Sequence, residues 1–275
     1  VAVVYFFYSF IKGGFGLALL VCPADPQRFA LCCNQVFTQD FFQHGIGSLS
    51  EKAQHAILKN YYSPNPADQE INIGSFVADI ATANGITEIQ TRGFYKTRKK
   101  LAFFLQNYPV RIVYPVAAKK WIVWIDPQTG EAVSRNRSPK KAVYDIFREL
   151  YSVLDLLWPQ NFSLTLALLS CEEYRLLDGV DSSRKKRAQR LELKPAELIG
   201  EVQLRAPCDL LQFLPEDLPS PFTAKDLQRL LKLNPRTISY LISVMRQLGL
   251  IEQVGLAGRA YLYRVLPLQS GIGAV

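Results

Sequence analysis

Histidine, methionine and paired cysteine are scarce in these 275 residues, and each scarcity removes a class of chemistry. His44 and His55 are the only imidazoles, too few for a histidine-rich zinc site or a relay of histidine bases. Five cysteines, an odd number with only Cys32 and Cys33 close together, give neither a disulfide framework nor a CxxC metal spacing, and point to a reducing, cytoplasmic compartment. Met245 is the only methionine. Acidic residues are outnumbered, 24 Asp and Glu against 32 Lys and Arg, for a net charge of +8. That balance makes a polyanion a natural partner, without deciding the fold.

Residues 1–50 carry none of this excess, because Lys12 and Arg28 cancel Asp25 and Asp40. From Val1 to Val21 the chain is apolar apart from Lys12 and a few small or hydroxyl residues, close to the length of a membrane-spanning helix. A membrane anchor, a signal segment and sequence foreign to the mature protein are the open readings for residues 1–48. Gly13, Gly14 and Gly16 weaken a helix and no small-residue cleavage site follows clearly, which favours the last. A membrane is expected as a partner only if residues 1–21 form an anchor.

From Ser50 the periodicity becomes informative. Ala53, Ala56, Ile57 and Tyr61 share one face of a helix expected over 50–62, ended by Pro64 and Pro66. Ile71–Ile80 and Ile86–Thr91 read as paired strands about Asn84-Gly85, a hairpin signal. Lys96–Asn107 reads as a helix, Val110–Pro115 and Trp121–Asp126 as strands, Ser134–Lys141 as a basic loop, the segment through Trp158 as a helix and Phe162–Leu169 as a buried strand. Trp121 and Trp124 are expected in the core.

Candidate chemistry is concentrated in Asp79 and Glu88-Ile89-Gln90. A hairpin brings Asp79 and Glu88 to neighbouring positions, where two carboxylates repel unless a cation lies between them. Mg²⁺ or Mn²⁺ suits such oxygen donors. Gln90 is two residues beyond Glu88 and shares its side of the strand. Glu51 on the preceding helix is a candidate third carboxylate. His55, one turn later, reads as a surface or packing residue, since imidazole ligands come in clusters.

Helix-borne Glu51, then Asp79, then Glu88-Ile89-Gln90, then a helix bearing Lys96, Arg98, Lys99 and Lys100, resembles the core of the PD-(D/E)XK nuclease superfamily, the restriction-endonuclease-like fold. It also resembles an uncharacterised bacterial family with such an EIQT stretch joined to a C-terminal DNA-binding domain. The resemblance implies a mixed α/β sheet flanked by helices and metal-assisted hydrolysis of a phosphodiester. Asp79, Glu88 and the Ile89 carbonyl would hold Mg²⁺ or Mn²⁺, with no small-molecule cofactor, and a homodimer is allowed. The chain departs from the superfamily pattern at Gln90, where that pattern has Lys. Lys96 or Lys99 is the expected source of the missing charge.

The second signal is C-terminal. Thr223 can cap a helix beginning at Ala224 with Leu227, Leu230 and Leu231 on one face. Asn234-Pro235 starts another, in which Ile238, Leu241, Ile242, Met245 and Leu248 keep helical rhythm, and Gly249 occupies the position of a left-handed cap. Strands follow at Leu250–Val254 and Ala260–Arg264. This resembles a winged helix-turn-helix domain, and implies DNA contacts from Arg236, Thr237, Ser239, Tyr240 and Arg246, with Arg259 at the wing tip. Arg135, Arg137, Lys140, Lys141, the run Arg184–Arg187 and Arg190 are solvated-loop charges that could also meet phosphate. The expected organisation is an N-terminal segment 1–48, a nuclease-like domain 49–180, a basic connector with a strand 181–217, a winged helix 218–267 and a tail 268–275. The expected function is a divalent-metal-dependent DNA nuclease of the cytoplasm; the alternative is a catalytically inactive DNA-binding transcriptional regulator on the same scaffold.

Overall fold

The strand Phe162–Leu176 carries the logic of the architecture. Leu164, Leu166 and Leu168 point to one side, Ala167, Leu169 and Cys171 to the other, and the two sets are fully buried in separate hydrophobic clusters. A strand buried on both faces belongs inside a sheet covered by helices on both sides. The computed structural model of the chain describes residues 6–9, 18–40, 50–138, 142–158, 161–177 and 189–267, the side chains of 6–9, 18, 38–40, 50–52, 142, 189, 190 and 192 excepted.

The first elements are β1 (Phe6–Ser9), β2 (Ala18–Val21), α1 (Pro26–Asp40) and α2 (Ser50–Tyr62). β3 (Gln69–Ile73), β4 (Phe76–Thr82), β5 (Gly85–Ile89), α3 (Arg98–Leu105), β6 (Val110–Ile125) and β7 (Ala132–Arg137) follow. After α4 (Ile146–Tyr151) come β8 (Phe162–Leu176) and β9 (Gln189–Leu204). The chain ends in β10 (Phe222–Thr223), α5 (Ala224–Leu231), α6 (Pro235–Gln247), β11 (Ile251–Ala257) and β12 (Ala260–Val265). β3, β4, β5, β6, β8 and β9 lie side by side in that order, and β7 pairs with the far half of β6, completing a seven-stranded mixed sheet. β5, β6 and β8 are mutually parallel and the other neighbours antiparallel. The expected mixed α/β sheet flanked by helices is therefore present. On one face, Phe29 and Val36 of α1 and Ile57 and Leu58 of α2 pack with Ile89, Val113 and Leu198. On the other, Leu101 and Phe104 of α3 and Phe147 of α4 pack with Ile112, Leu164 and Val202.

Several elements differ from expectation for identifiable reasons. Ile71–Ile80 is two strands, because Gly74 takes a left-handed φ of 60° and turns β3 back onto β4; Gly-Ser is itself a tight-turn signal. The Asn84-Gly85 hairpin forms, with Thr82 facing Gly85. Pro115 does not end its strand. β6 runs on through it with a bulge between Ala117 and Lys119, paired with β8 along its whole length. The first half of the segment read as a basic loop, 134–137, is part of β7, an exposed strand carrying Arg135 and Arg137; Lys140 and Lys141 lie outside the described residues. Trp121 and Trp124 are half-buried, not core: the Arg135 guanidinium lies 4.0 Å from the Trp121 ring centroid and Arg175 lies 5.9 Å from that of Trp124.

Part of the segment expected as a connector is β9, a full member of the main sheet. The run Arg184–Arg187 and the Arg190 side chain fall outside the described residues. Leu19 and Val21 of β2 are buried, and Cys22 exchanges main-chain hydrogen bonds of 2.8 and 3.0 Å with Glu201 of β9. Among the described residues no helix is long and apolar enough to cross a membrane.

The C-terminal helices are set by their caps. Thr223 Oγ1 accepts from the Asp226 N–H at 3.3 Å while Asp226 accepts from the Thr223 N–H at 2.9 Å, a reciprocal capping box. Asn234 Oδ1 accepts from the Thr237 N–H at 2.9 Å, and Pro235 fills the first helical position. Gly249, at φ 69°, ends α6 as expected, with the Gly249 and Leu250 N–H groups bonded back to Arg246 and Met245. These helices do not build a core of their own. Ile238, Leu241 and Met245 share one cluster with Tyr144, Phe147 and Phe213, and Phe213 packs its ring 5.9 Å from Tyr144 and 5.3 Å from Phe147. Replacing Phe213 by Ala should therefore cost about 3–5 kcal/mol. Trp121 and Trp124 of β6 and Trp158, just before β8, report on the main sheet and its surroundings, and far-UV circular dichroism on the helices. The two signals are expected to shift together in urea; separated transitions would show independent cores.

Candidate active site and nucleic-acid face

β4 and β5 are ladder-paired through Ile80 and Thr87, and the next pair in register is Asp79 with Glu88. There the side chains take over the ladder. The Asp79 N–H donates to Glu88 Oε1 at 3.1 Å, and the Ile89 N–H donates to Asp79 Oδ2 at 2.8 Å. The same register puts Glu70 opposite Asp79, between the pairs Gln69 with Ile80 and Ile71 with Ala78. Three carboxylates thus form one cross-strand row on β3, β4 and β5.

Each member of the row has a basic companion from a helix. His55 Nε2 of α2 lies 3.1 Å from Asp79 Oδ2. Lys59, one turn further and nearly buried, reaches Glu70 at 2.5 Å. From the opposite layer, Lys100 of α3 donates to Glu88 Oε2. Burial raises the Asp79 carboxyl most, but the His55 contact, the Ile89 N–H and the charge of Lys100 together bring it below its usual range. Glu88 goes the other way. Burial and then the charge of Asp79 push it up to about 7, against the partial offset of Lys100. Lys59 holds Glu70 below its ordinary value.

The expected pair, Asp79 and Glu88, is therefore brought together. Gln90 lines one recess with Glu88, Thr97, Lys100, Leu101 and Ile112, but its amide donates to the Arg92 carbonyl at 2.6 Å. The lysine on the carboxylates is neither Lys96, in the turn, nor Lys99, in α3, both of which are exposed. It is Lys100, because helical spacing puts residues 97, 100, 101 and 104 on the buried face of the turn that begins α3. That spacing is legible in the sequence once the start of the turn is known. His55, read as a surface or packing residue, is instead half-buried against Asp79, while Lys59, four residues on along α2, and Glu70, hidden by the unrecognised Gly74 hairpin, are the other residues that sequence reasoning passed over. Glu51 lies in α2 with its side chain outside the described residues. Among the described residues no group of three His, Cys, Asp or Glu side chains is gathered closely enough to hold a metal ion. A cation here would take two carboxylates and complete its shell with main-chain oxygen, water or substrate.

Beyond β9, α6 presents Arg236, Ser239 and Arg246 to solvent along one stripe, with half-buried Ser243 between them. Arg259 is exposed in the turn between β11 and β12. Thr237 is half-buried. Tyr240 is drawn off this surface: its ring packs 5.4 Å from Tyr151 at the end of α4, while Arg236 Nε donates to its hydroxyl at 3.3 Å.

A family model described as "Domain of unknown function (DUF8091)" matches residues 52–205. That is more than half of the chain, which therefore belongs to this family. The match takes in Asp79, Glu88 and Lys100 and ends before α5. An uncharacterized protein of Treponema pallidum (strain Nichols) is 28% identical over 224 residues, covering 81% of this chain and 88% of that protein. No solved structure matches the chain.

The acid pair gives the chain a pH signature. In the folded state Glu88 keeps its proton up to about 7, where the unfolded chain has released it from 4.5 upward. Glu88 therefore withdraws stability as pH rises through that window. Relative to Glu88→Gln, the wild type should lose on the order of 1–3 kcal/mol between pH 5 and pH 7.5 in urea denaturation. Parallel pH profiles for the two proteins would contradict this.

Proposed function

We propose that this member of the DUF8091 family is a divalent-metal-dependent DNA nuclease, a restriction-endonuclease-like core directed to DNA by a C-terminal winged helix. The observation that carries this reading is the contact of Asp79 with Glu88 where β4 and β5 part, with Lys100 on Glu88. The order helix, three antiparallel strands, helix, parallel strand supports it. That order carries Glu51, Asp79, Glu88 and a lysine in the sequence the resemblance requires. The donor set fits a hard cation, since a buried and a half-buried carboxylate stand side by side and Lys100 offsets their mutual repulsion only in part.

In this reading Asp79, Glu88 and the Ile89 carbonyl hold Mg²⁺ or Mn²⁺. The ion, when bound, makes a coordinated water more acidic and offsets charge on the phosphate. Asp79 is kept ionised and oriented by His55 and the Ile89 N–H. Lys100 brings to the recess the ammonium that position 90 lacks. Arg236, Ser239 and Arg246 on α6 and Arg259 between β11 and β12 meet the DNA, the arginines by charge. The order β10, α5, α6, β11, β12 with its three-stranded sheet supports the winged-helix assignment.

A second reading has its own observation. The amide of Gln90 is tied to the Arg92 carbonyl, so position 90 does not serve the carboxylates, as suits a catalytically silent DNA-binding regulator. Incubation with plasmid and linear DNA in Mg²⁺, Mn²⁺ or EDTA separates the two. Cleavage is expected with metal, at the EDTA background for Asp79→Asn and Glu88→Gln, and about a hundredfold slower for Lys100→Ala. Cleavage indifferent to these substitutions, or DNA retention without cleavage, would sink the enzyme reading. Arg236→Ala with Arg246→Ala should weaken DNA binding and lower its salt slope by about one for each arginine removed.

A further inference from the structure

The turn joining β5 to α3 presents an aromatic ring to solvent, two residues before Thr97, which lines the recess. Gly93, at a left-handed φ of 71°, starts it, and Glu149 of α4 fixes it by accepting from the Gly93 and Phe94 N–H groups at 2.7 and 3.0 Å. In the 3-10 turn Phe94–Thr97, residues three apart eclipse. Phe94 goes inward, fully buried with its ring 5.8 Å from Tyr114, and Thr97 faces the recess with Glu88, Gln90 and Lys100. Tyr95 is thereby turned outward and is 59% exposed. Held on an anchored turn, its ring offers a flat face on which another flat group can stack.

The charges around it differ from those of the acid row. Lys59 and Lys100 each hold a carboxylate. Lys96 lies with its Nζ 5.8 Å from the Tyr95 ring centroid, and Lys99 stands one residue before Lys100. Among the described residues neither Lys96 nor Lys99 has a carboxylate partner. One exposed ring with two exposed lysines that hold no carboxylate is complementary to a polyanion whose flat groups are free to stack. A duplex keeps its base faces covered, whereas single strands bind by stacking on aromatics along a basic track.

We propose that Tyr95, Lys96 and Lys99 form a platform for single-stranded DNA, so that the strand crossing the turn before α3 is unpaired there, its base on Tyr95 and its phosphates on the two lysines. The proposal rests on the nuclease reading for why DNA comes to the recess, but it concerns binding and is measurable without cleavage. Fluorescence anisotropy of the full chain in EDTA, with a fluorescein-labelled oligothymidylate and with a duplex of the same length, tests it. Tyr95→Ala should weaken single-strand binding by about 5- to 100-fold and leave duplex binding unchanged. Tyr95→Phe should bind like wild type, and Lys96→Ala with Lys99→Ala should flatten the salt dependence of the single-strand affinity. An unchanged single-strand affinity in Tyr95→Ala, or an equal loss for single strand and duplex, overturns the platform. Tyr95-dependent single-strand binding in a protein that never cleaves supports the platform and overturns the nuclease reading alone.

Discussion

Two carboxylates buried against each other cannot both hold full charge without help, and much of the chain between α2 and α3 is organised around that constraint. Asp79 and Glu88 meet where the β4–β5 ladder gives out, each accepting a main-chain N–H from the other strand. Helices from opposite layers close over them, His55 from one side and Lys100 from the other. Removing either helix would strand an unpaired acid, so the site and the layered packing depend on each other. The row extends to Glu70 and Lys59, which makes α2 as much an electrostatic counterpart of the sheet as a hydrophobic cover.

The pairing of acids with cations is graded by exposure. Lys59 is nearly buried while Glu70 is mostly in solvent, so that pair sits at the rim. Glu88 and Lys100 are both largely covered. The electrostatic demand therefore rises from β3 toward β5, and it is greatest in the recess that Gln90 and Thr97 share.

Signals local to a few residues were the legible ones. The Asn84-Gly85 hairpin, the capping residues Thr223 and Asn234, and Gly249 each specify a backbone conformation by themselves, and the structure realises all of them. The convergence of Asp79 and Glu88 followed from the hairpin alone. What was illegible depended on partners distant in sequence. Pro115 would end an isolated strand, yet β6 passes through it because β8 pairs with it on a register that a single segment does not reveal. A strand is expected within the connector 181–217, but not that residues 189–204 would pair with β8 along its length and join the main sheet. Lys100 lay between these cases: its helical position marked it as inward-facing, but its neighbours Lys96 and Lys99 carry the same charge, and only the place where the turn begins decides among them.

The contact of Tyr240 with Tyr151 joins α6 to the end of α4, and the same α4 anchors through Glu149 the turn that leads to Lys100. The helix proposed to grip DNA and the recess proposed to act on it are thus linked by packed side chains and one carboxylate bridge. In a molecule built this way the spacing is a ruler. Whatever sequence α6 engaged, the phosphate offered to Asp79 and Glu88 would lie at a set offset along the strand, measured by the width of the shared core.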